Sequence, residues 1–490
     1  MANPILVLQM QRMGDLVLTF PLLMWIRRQI PGPLLRVVAE ERFFTPLLPM
    51  SPPAGYITWD EAANGALDTS EYSLIINLSI REEAARLAGR LKAERVVGPV
   101  RHADGALRIH GDWQLYRASV VHNNRHNRFH WADLNALDLV PRATLAATRY
   151  EPQAIIQQTP AQREAAARAV GVFVGASEPG KRPGPEFYAK LVDELFARDL
   201  QPVLLGGPDD LPVAEAARAL CTHKPLNLTG KLSIKELAAL GQTLSLLITP
   251  DTGPMHLAAW TGLRTLNLSV GNVSPWETGP YQPGHVVLRS QASCAHGCWQ
   301  CTRAQALCRK ALTPRRVAAL AALMVANGRN DRPLDELWKR LDRLDMPGLG
   351  LFRTTRSAQG LYELQRLGPA AGETEQQAAN QAGAFWRLFF LWRLSSPGQA
   401  ANGEAEKNAA REIWLALVDQ HPALAIALHA ALPSLGRGLR GSTIIPPAGI
   451  VPFFRPLAGY LDMLAQNQDS SPACLRTCLE HIEALAELCT

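Results

Sequence analysis

The chain has 490 residues, of which 47% are hydrophobic and 19% charged. That is ample apolar material for packed domains of roughly 150 residues each, and it excludes a largely disordered chain or a fibrous repeat. Fifty Lys and Arg against 44 Asp and Glu leave a net charge of +6, which suits phosphate-bearing ligands but is too thinly spread for a dedicated nucleic-acid binder.

Residues 5–8, Ile-Leu-Val-Leu, form an apolar run without polar alternation, as a strand buried on both faces would. A loop over 9–13 leads to Gly14-Asp15 and then to a helical pattern ending near Arg28. Strands follow at 35–39 and 74–78, then an Ala/Arg/Glu-rich helix over 82–91. Such alternation predicts a parallel sheet covered on both sides. Residues 122–131 are basic and aromatic; they read as a solvated loop or as a contact for an anionic glycolipid. A polar, proline-containing stretch over 152–160 reads as a linker. A second series then begins, with strands at 171–176, 202–207, 246–249 and 265–268 and helices at 186–198, 213–221 and 254–260.

The expected organisation is an N-terminal Rossmann-like unit over 1–155, a second over 156–335, and a mainly helical extension over 336–490. The extension reads as lacking strands before Ile444-Ile445 and as interrupted by a Gly/Pro-rich stretch over 433–456. Within it, Phe385, Trp386, Phe389, Phe390 and Trp392 crowd two helical turns. They read as a core helix packed on the second unit, with an amphipathic membrane-contacting surface as the alternative. The apolar stretch 17–26 is about half of what a spanning helix needs, and the N-terminus lacks the features of a signal peptide. A cytoplasmic location is therefore expected, with the eight cysteines reduced or metal-bound rather than disulfide-paired.

Several segments carry candidate chemistry. Asp15 follows a buried strand, where ligands collect in open α/β sheets; it can act as a base in the cleft or simply cap the helix. In Thr249-Pro-Asp-Thr-Gly-Pro-Met-His256 a strand ends and a helix opens at Pro254, which presents backbone N–H groups and a positive dipole end to a diphosphate. The ordinary alternative is a plain strand–turn–helix connection with His256 in the core. Lys181-Arg182 and Gly206-Gly-Pro-Asp-Asp210 lie in loops where a lysine can offset diphosphate charge and a carboxylate can bind ribose hydroxyls. Cys294, Cys298, Cys301 and Cys308 can hold a structural zinc or an iron–sulfur cluster, or remain reduced thiols. Gly436-Arg-Gly-Leu-Arg-Gly441 matches a dinucleotide fingerprint, but no strand precedes it, so it is set aside.

Taken in order, the segments beginning at Ile5, Leu74, Leu204, Leu228 (Leu-Thr-Gly-Lys), Asp251 (Asp-Thr-Gly-Pro-Met-His) and Thr278 (Thr-Gly-Pro-Tyr) resemble glycosyltransferase family 9, the ADP-heptose:lipopolysaccharide heptosyltransferases. The resemblance covers roughly residues 4–320. It implies a GT-B fold of two Rossmann-like domains and inverting transfer of a heptose from ADP-heptose to a lipid-linked, anionic lipopolysaccharide-core acceptor. It also implies no cofactor at the reaction centre and an enzyme at, or peripheral to, the inner face of the inner membrane. By motif position Asp15 stands as base and Lys181 as the diphosphate lysine, with Ser177, Asp251, Thr252, Gly253 and His256 around the donor. Asp210 stands as the ribose carboxylate, with Asp209 competing. The chain departs from the family pattern at Arg182-Pro183 after the lysine and at Ser269-Val-Gly-Asn272. The alternatives are a non-catalytic GT-B-like scaffold and a sugar-nucleotide-modifying Rossmann enzyme. The latter would want a glycine fingerprint that residues 9–14 lack.

Overall fold

A computed structural model describes residues 3–147, 159, 167–292, 294, 301, 303, 306–329, 348–367, 374–394, 400–440 and 452–489. The linker expected over 152–160 and Ile444-Ile445 lie outside these residues, Thr159 apart. Two sheets organise the chain. The first has six strands, in the order β3 (Gly55–Thr58), β2 (Leu35–Ala39), β1 (Ile5–Leu8), β4 (Leu74–Asn77), β5 (Val96–Arg101) and β6 (Leu107–His110), and the second eight, in the order β14 (Tyr362–Arg366), β13 (Leu349–Arg356), β12 (Val286–Ser290), β11 (Thr265–Ser269), β10 (Leu246–Pro250), β7 (Ala169–Phe173), β8 (Gln201–Leu205) and β9 (Leu226–Asn227). In the first, β1 (Ile5–Leu8) lies parallel between β2 (Leu35–Ala39) and β4 (Leu74–Asn77), and all four of its residues are buried. In the second, β7 (Ala169–Phe173), β10 (Leu246–Pro250) and β11 (Thr265–Ser269) form an equally buried parallel centre. This is the GT-B arrangement of two Rossmann-like halves, with helices supplying the covering layers.

Residues 349–366 correct the expectation of a strand-free extension. They form a hairpin, β13 (Leu349–Arg356) and β14 (Tyr362–Arg366), that adds antiparallel to β12 (Val286–Ser290) and widens the second sheet. Beyond it the chain is helical: Thr374–Arg393, Ala400–Gln420, Ala423–Arg440, Arg455–Asn467 and Pro472–Cys489. Helix Ala423–Arg440 runs through Pro433 into the fingerprint-like glycines. The interruption expected from residue 433 is therefore absent up to residue 440. Among the described residues no single helix is long and apolar enough to cross a membrane, although the bent pair Gly403–Gln420 and Ala423–Pro433 passes on composition when taken together.

The aromatic cluster of the extension is internal. Phe385, Trp386, Phe389 and Phe390 are at most 1% exposed, and the Trp386 indole N–H donates to the Phe453 carbonyl at 2.7 Å. These rings do not pack on the second half, as expected, but join the core of the first. Phe390 stacks 4.6 Å from Tyr116 on helix Asp112–Ser119, and Phe129 and Trp113 continue the same cluster. Polar contacts reinforce the joint. Asn467 accepts from the Ile109 amide at 2.6 Å and donates to its carbonyl at 2.9 Å, covering the edge strand β6 (Leu107–His110). Asn123 donates to the Arg455 carbonyl at 2.8 Å, and Arg142 and Glu406 form a fully buried ion pair. Truncating one central ring should therefore destabilise the first half: Phe390→Ala is expected to cost about 3–5 kcal/mol. Urea denaturation checks this, and a change under 1 kcal/mol would show that the extension is only loosely attached.

Candidate active site

The two halves touch where their principal turns meet. The opening helix, Met13–Gln29, starts just past β1, and its first turn abuts the first turn of helix Gly253–Trp260. A Cβ on Gly14 would stand 3.0 Å from His256 Cδ2, and one on Gly253 would stand 2.5 Å from Met13 Cε. Both glycines therefore sit where side chains would keep the turns apart. Behind them the Phe20 and Trp260 rings lie 5.4 Å apart, and the Trp260 indole donates to the Met50 carbonyl at 2.7 Å.

Asp15 faces this seam from the first half. Its Oδ2 accepts the Arg12 amide at 3.2 Å, so the helix-capping role and a place at the cleft coexist. Burial raises its pKa, and the opposing charge of Arg117 pulls it back. Arg117 is a residue that the sequence did not flag. Its guanidinium lies 4.6 Å over the Trp131 ring and donates to Asn135 Oδ1 at 3.0 Å, and burial pushes its pKa down to about 10. Its only sequence signal is an arginine in an amphipathic helix a hundred residues from Asp15.

On the second half, Asp251 directly follows β10, and its side chain is largely shielded from solvent. Its Oδ2 accepts from the Thr278 hydroxyl at 2.6 Å, and its Oδ1 lies 3.9 Å from His256 Nε2. Burial pushes Asp251 up to about 6, against the pull of Thr278, Lys181 and Arg289, with Asp15 adding to the rise. Burial also pushes His256 down to about 4, so the imidazole is neutral at pH 7, and its Nδ1 has no hydrogen-bond partner among the described residues. Thr252 is the extended N-cap, its side chain caps nothing, and proline follows within the first turn. The Gly253 amide is thus among the helix's orphan donors, at the positive end of its dipole.

Lys181 closes a short turn, Pro179–Lys181, where Nζ pairs with Glu178 at 3.1 Å and its charge reaches Asp251. Arg182, its neighbour, acts instead on Asp210. Asp210 turns inward to accept the Gly207 amide at 2.8 Å, and a Cβ on Gly175 would stand 1.9 Å from its Oδ2. Asp209 and Ser177 are exposed on the same loops. Of the cysteines, Cys298 lies outside the described residues. Cys308 accepts the Gly271 amide at 3.4 Å, and no three His, Cys, Asp or Glu side chains among the described residues cluster as a metal site.

Residues 122–131 are not the solvated loop or open acceptor surface expected of them. Asn124 and residues 126–130 are buried between the halves. Asn124 and Asn127 donate to Glu277 at 2.7 and 2.9 Å, and His130 Nε2 lies 2.9 Å from the Gly279 carbonyl. Nearby, Asp133 accepts from the Tyr281 hydroxyl at 2.5 Å and from the Tyr362 amide at 2.8 Å. Asn124, Asn127 and His130 thus direct these hydrogen bonds to the other half rather than to water. Burial pushes Glu277 up to about 7. Its folded form therefore holds a proton that the unfolded chain releases near pH 4.5. The stability this proton contributes is full below pH 4.5 and is lost as pH rises through 7. Melting temperature should fall between pH 5 and 8, and Glu277→Gln should flatten part of that slope; an unchanged slope would remove Glu277 from the balance.

Comparison with known proteins places this geometry. A model described as Glycosyltransferase family 9 (heptosyltransferase) matches residues 63–307, half of the chain. A lipopolysaccharide core heptosyltransferase, OpsX, of Haemophilus influenzae is 31% identical over 98 residues, 20% of this chain and 28% of that protein. Lipooligosaccharide heptosyltransferase 2 of the same organism is 31% identical over 125 residues, 24% of this chain and 36% of its own length. The chain thus spans about a third of the length of the curated relatives it matches. A crystal structure of a family 9 glycosyl transferase from Veillonella parvula superposes with a TM-score of 0.52 at 22% identity, covering 66% of this chain and 98% of that one.

Proposed function

The chain belongs to glycosyltransferase family 9, the heptosyltransferase family, and on that premise we propose that it transfers a heptose or related sugar, with inversion, from ADP-heptose or a similar nucleotide sugar to a lipopolysaccharide-core acceptor. One observation carries the reading: the seam between Gly14 and Gly253 gathers Asp15, Asp251, His256 and a helix N-terminus into one desolvated spot. An acceptor hydroxyl attacks the anomeric carbon from the face opposite the diphosphate. Its oxygen forms the new glycosidic bond, the bond from the anomeric carbon to the phosphate oxygen breaks, and Asp15 takes the hydroxyl proton. The raised pKa of Asp15 makes it a better proton acceptor than an exposed carboxylate, and the charge of Arg117 opposes that rise. Lys181 and the Gly253 helix end offset the charge growing on the departing nucleoside diphosphate. Asp210 is suited to the ribose hydroxyls. In this reading no step runs through a metal, and the cysteine loop does no chemistry.

Asp15→Ala should retain donor binding and lower turnover about 10²–10⁴-fold, the usual worth of a general base. Transfer from ADP-heptose measured with purified protein decides; a parental rate would leave Asp15 as a helix cap alone. Lys181→Ala should raise the donor KM and lower kcat together, and a variant that changes neither moves the diphosphate contact elsewhere. Treatment with a chelator under reducing conditions should leave the transfer rate unchanged. A loss of rate restored by added zinc would give the Cys294–Cys308 loop a functional metal.

A further inference from the structure

A cleft of about 450 Å³ opens where the edge strand β6 and the start of helix Asp112–Ser119 meet the end of helix Arg455–Asn467. It shares no residue with the donor turn, and its volume is that of a small-molecule site. Its apolar lining comes from Ile109 and the buried Leu115 and Leu464. Its polar lining comes from Arg108, His110, Asp112, Gln468 and Asp469, with Asn467 between them.

The walls are fixed relative to one another. Asn467 holds both backbone groups of Ile109, and Arg108 pairs with Asp469 across the junction. The turn after Asn467 keeps two successive non-glycine residues in the left-handed region, Asp469 at φ 48° and Ser470 at φ 53°. Such backbone is strained and persists only where its surroundings impose it. His110 Nε2 lies 3.3 Å from His102 Nε2, and burial together with that neighbour holds His110 below the usual imidazole range. The ring is therefore neutral at pH 7 and can both donate and accept. Asp112 is unmatched: burial raises its pKa, and among the described residues no donor or cation pulls it back. Asp112 also raises the pKa of Asp138, so the local field is negative.

We propose that this cleft binds one pyranose unit of a saccharide, as a subsite apart from the donor turn. The Arg108 charge is matched by Asp469 and the field around Asp112 is negative, so phosphate and carboxylate ligands are repelled rather than drawn in. A neutral polyol meets neither obstacle. Its hydroxyls can donate to the Asp112 carboxylate and exchange hydrogen bonds with His110 and the Gln468 amide, while the C–H face of the ring lies against Leu115 and Leu464. That the saccharide belongs to the acceptor rests on the transferase reading above; pyranose binding in the cleft does not. Leu464, Asn467, Gln468 and Asp469 lie beyond the stretch matched by the family model, so the subsite is a property of this chain's extension rather than of the shared core.

The test uses the full chain and the methyl pyranosides of mannose, glucose and galactose, with N-acetylglucosamine as a fourth probe and ethanolammonium as a cationic control. Saturation-transfer NMR titrations should show saturable binding of at least one pyranoside, persisting when ADP is present in saturating amount. Asp112→Asn should raise its Kd about tenfold, the worth of a hydrogen bond to a charged group. The melting temperature should stay level, because Asp138 and not Asp112 caps the Trp113 and Gln114 amides. Gln468→Ala, on the exposed rim, should weaken binding without touching the fold. In transfer assays both variants should raise the acceptor KM and leave the donor KM and kcat unchanged. No saturable pyranoside binding, binding abolished by ADP, binding undiminished in both variants, or saturable binding of ethanolammonium alone would each overturn the proposal. If the parental protein binds a pyranoside as described yet transfers no sugar, the cleft stands and the transferase reading falls.

Discussion

Gly14 and Gly253 meet where the first turns of helices Met13–Gln29 and Gly253–Trp260 pack together, and neither brings a side chain to hold them apart. Everything at the candidate site follows from that approach. Because the turns are in contact, water is squeezed out between them, and desolvation becomes the leading cause of the shifts at Asp15, Asp251 and His256 alike. Two carboxylates are thereby made more basic and an imidazole is held neutral, without any dedicated partner for each. Charges that would be ordinary on a loop, such as those of Arg117 and Lys181, gain reach in the same low-dielectric setting.

The sequence was most legible where burial acts on both faces of a strand. Residues 5–8 and 35–39 have the bounds read from their apolar runs, and the parallel centre of the second sheet lies within three residues of its reading. The turn 251–256 was legible for a different reason: proline and glycine at a strand–helix junction leave few local conformations. The hairpin was not legible. Its strands alternate Leu and Phe with Arg, Thr and Glu, and the partner that makes them strands, β12, lies some sixty residues earlier. Arg117 and Glu277 escaped notice, and Thr278 was read only as the start of the Thr-Gly-Pro-Tyr segment, because their significance arises only from what the fold sets beside them. The 122–131 segment misled through composition. Its asparagines and histidines suggest solvent, but their hydrogen bonds go to Glu277 and Gly279 across the seam.

Residues beyond 348 act as a strap between the halves. The hairpin belongs to the second sheet, and the helices after it share a hydrophobic core with the first half. Asp133 stitches the crossing, holding Tyr281 of one half and Tyr362 of the hairpin with its two oxygens. Such a strap resists sliding of one half over the other, because any displacement must break buried hydrogen bonds or open the aromatic cluster.

The way the strap closes has a consequence for how the chain comes into being on the ribosome. Nascent domains ordinarily fold one after another from the N-terminus. Here the first sheet emerges early, yet the cluster of Tyr116, Trp113 and Phe129 is completed only when Phe390, Phe453 and Tyr460 have been made. Between about 260 and 350 residues of synthesis separate the two sides of that core, and Ile109 on the edge strand waits 358 residues for Asn467. The N-terminal half must therefore persist with an apolar flank uncovered while the second half is still being translated. Its dependence on chaperones during that interval should exceed what either half's own topology would suggest.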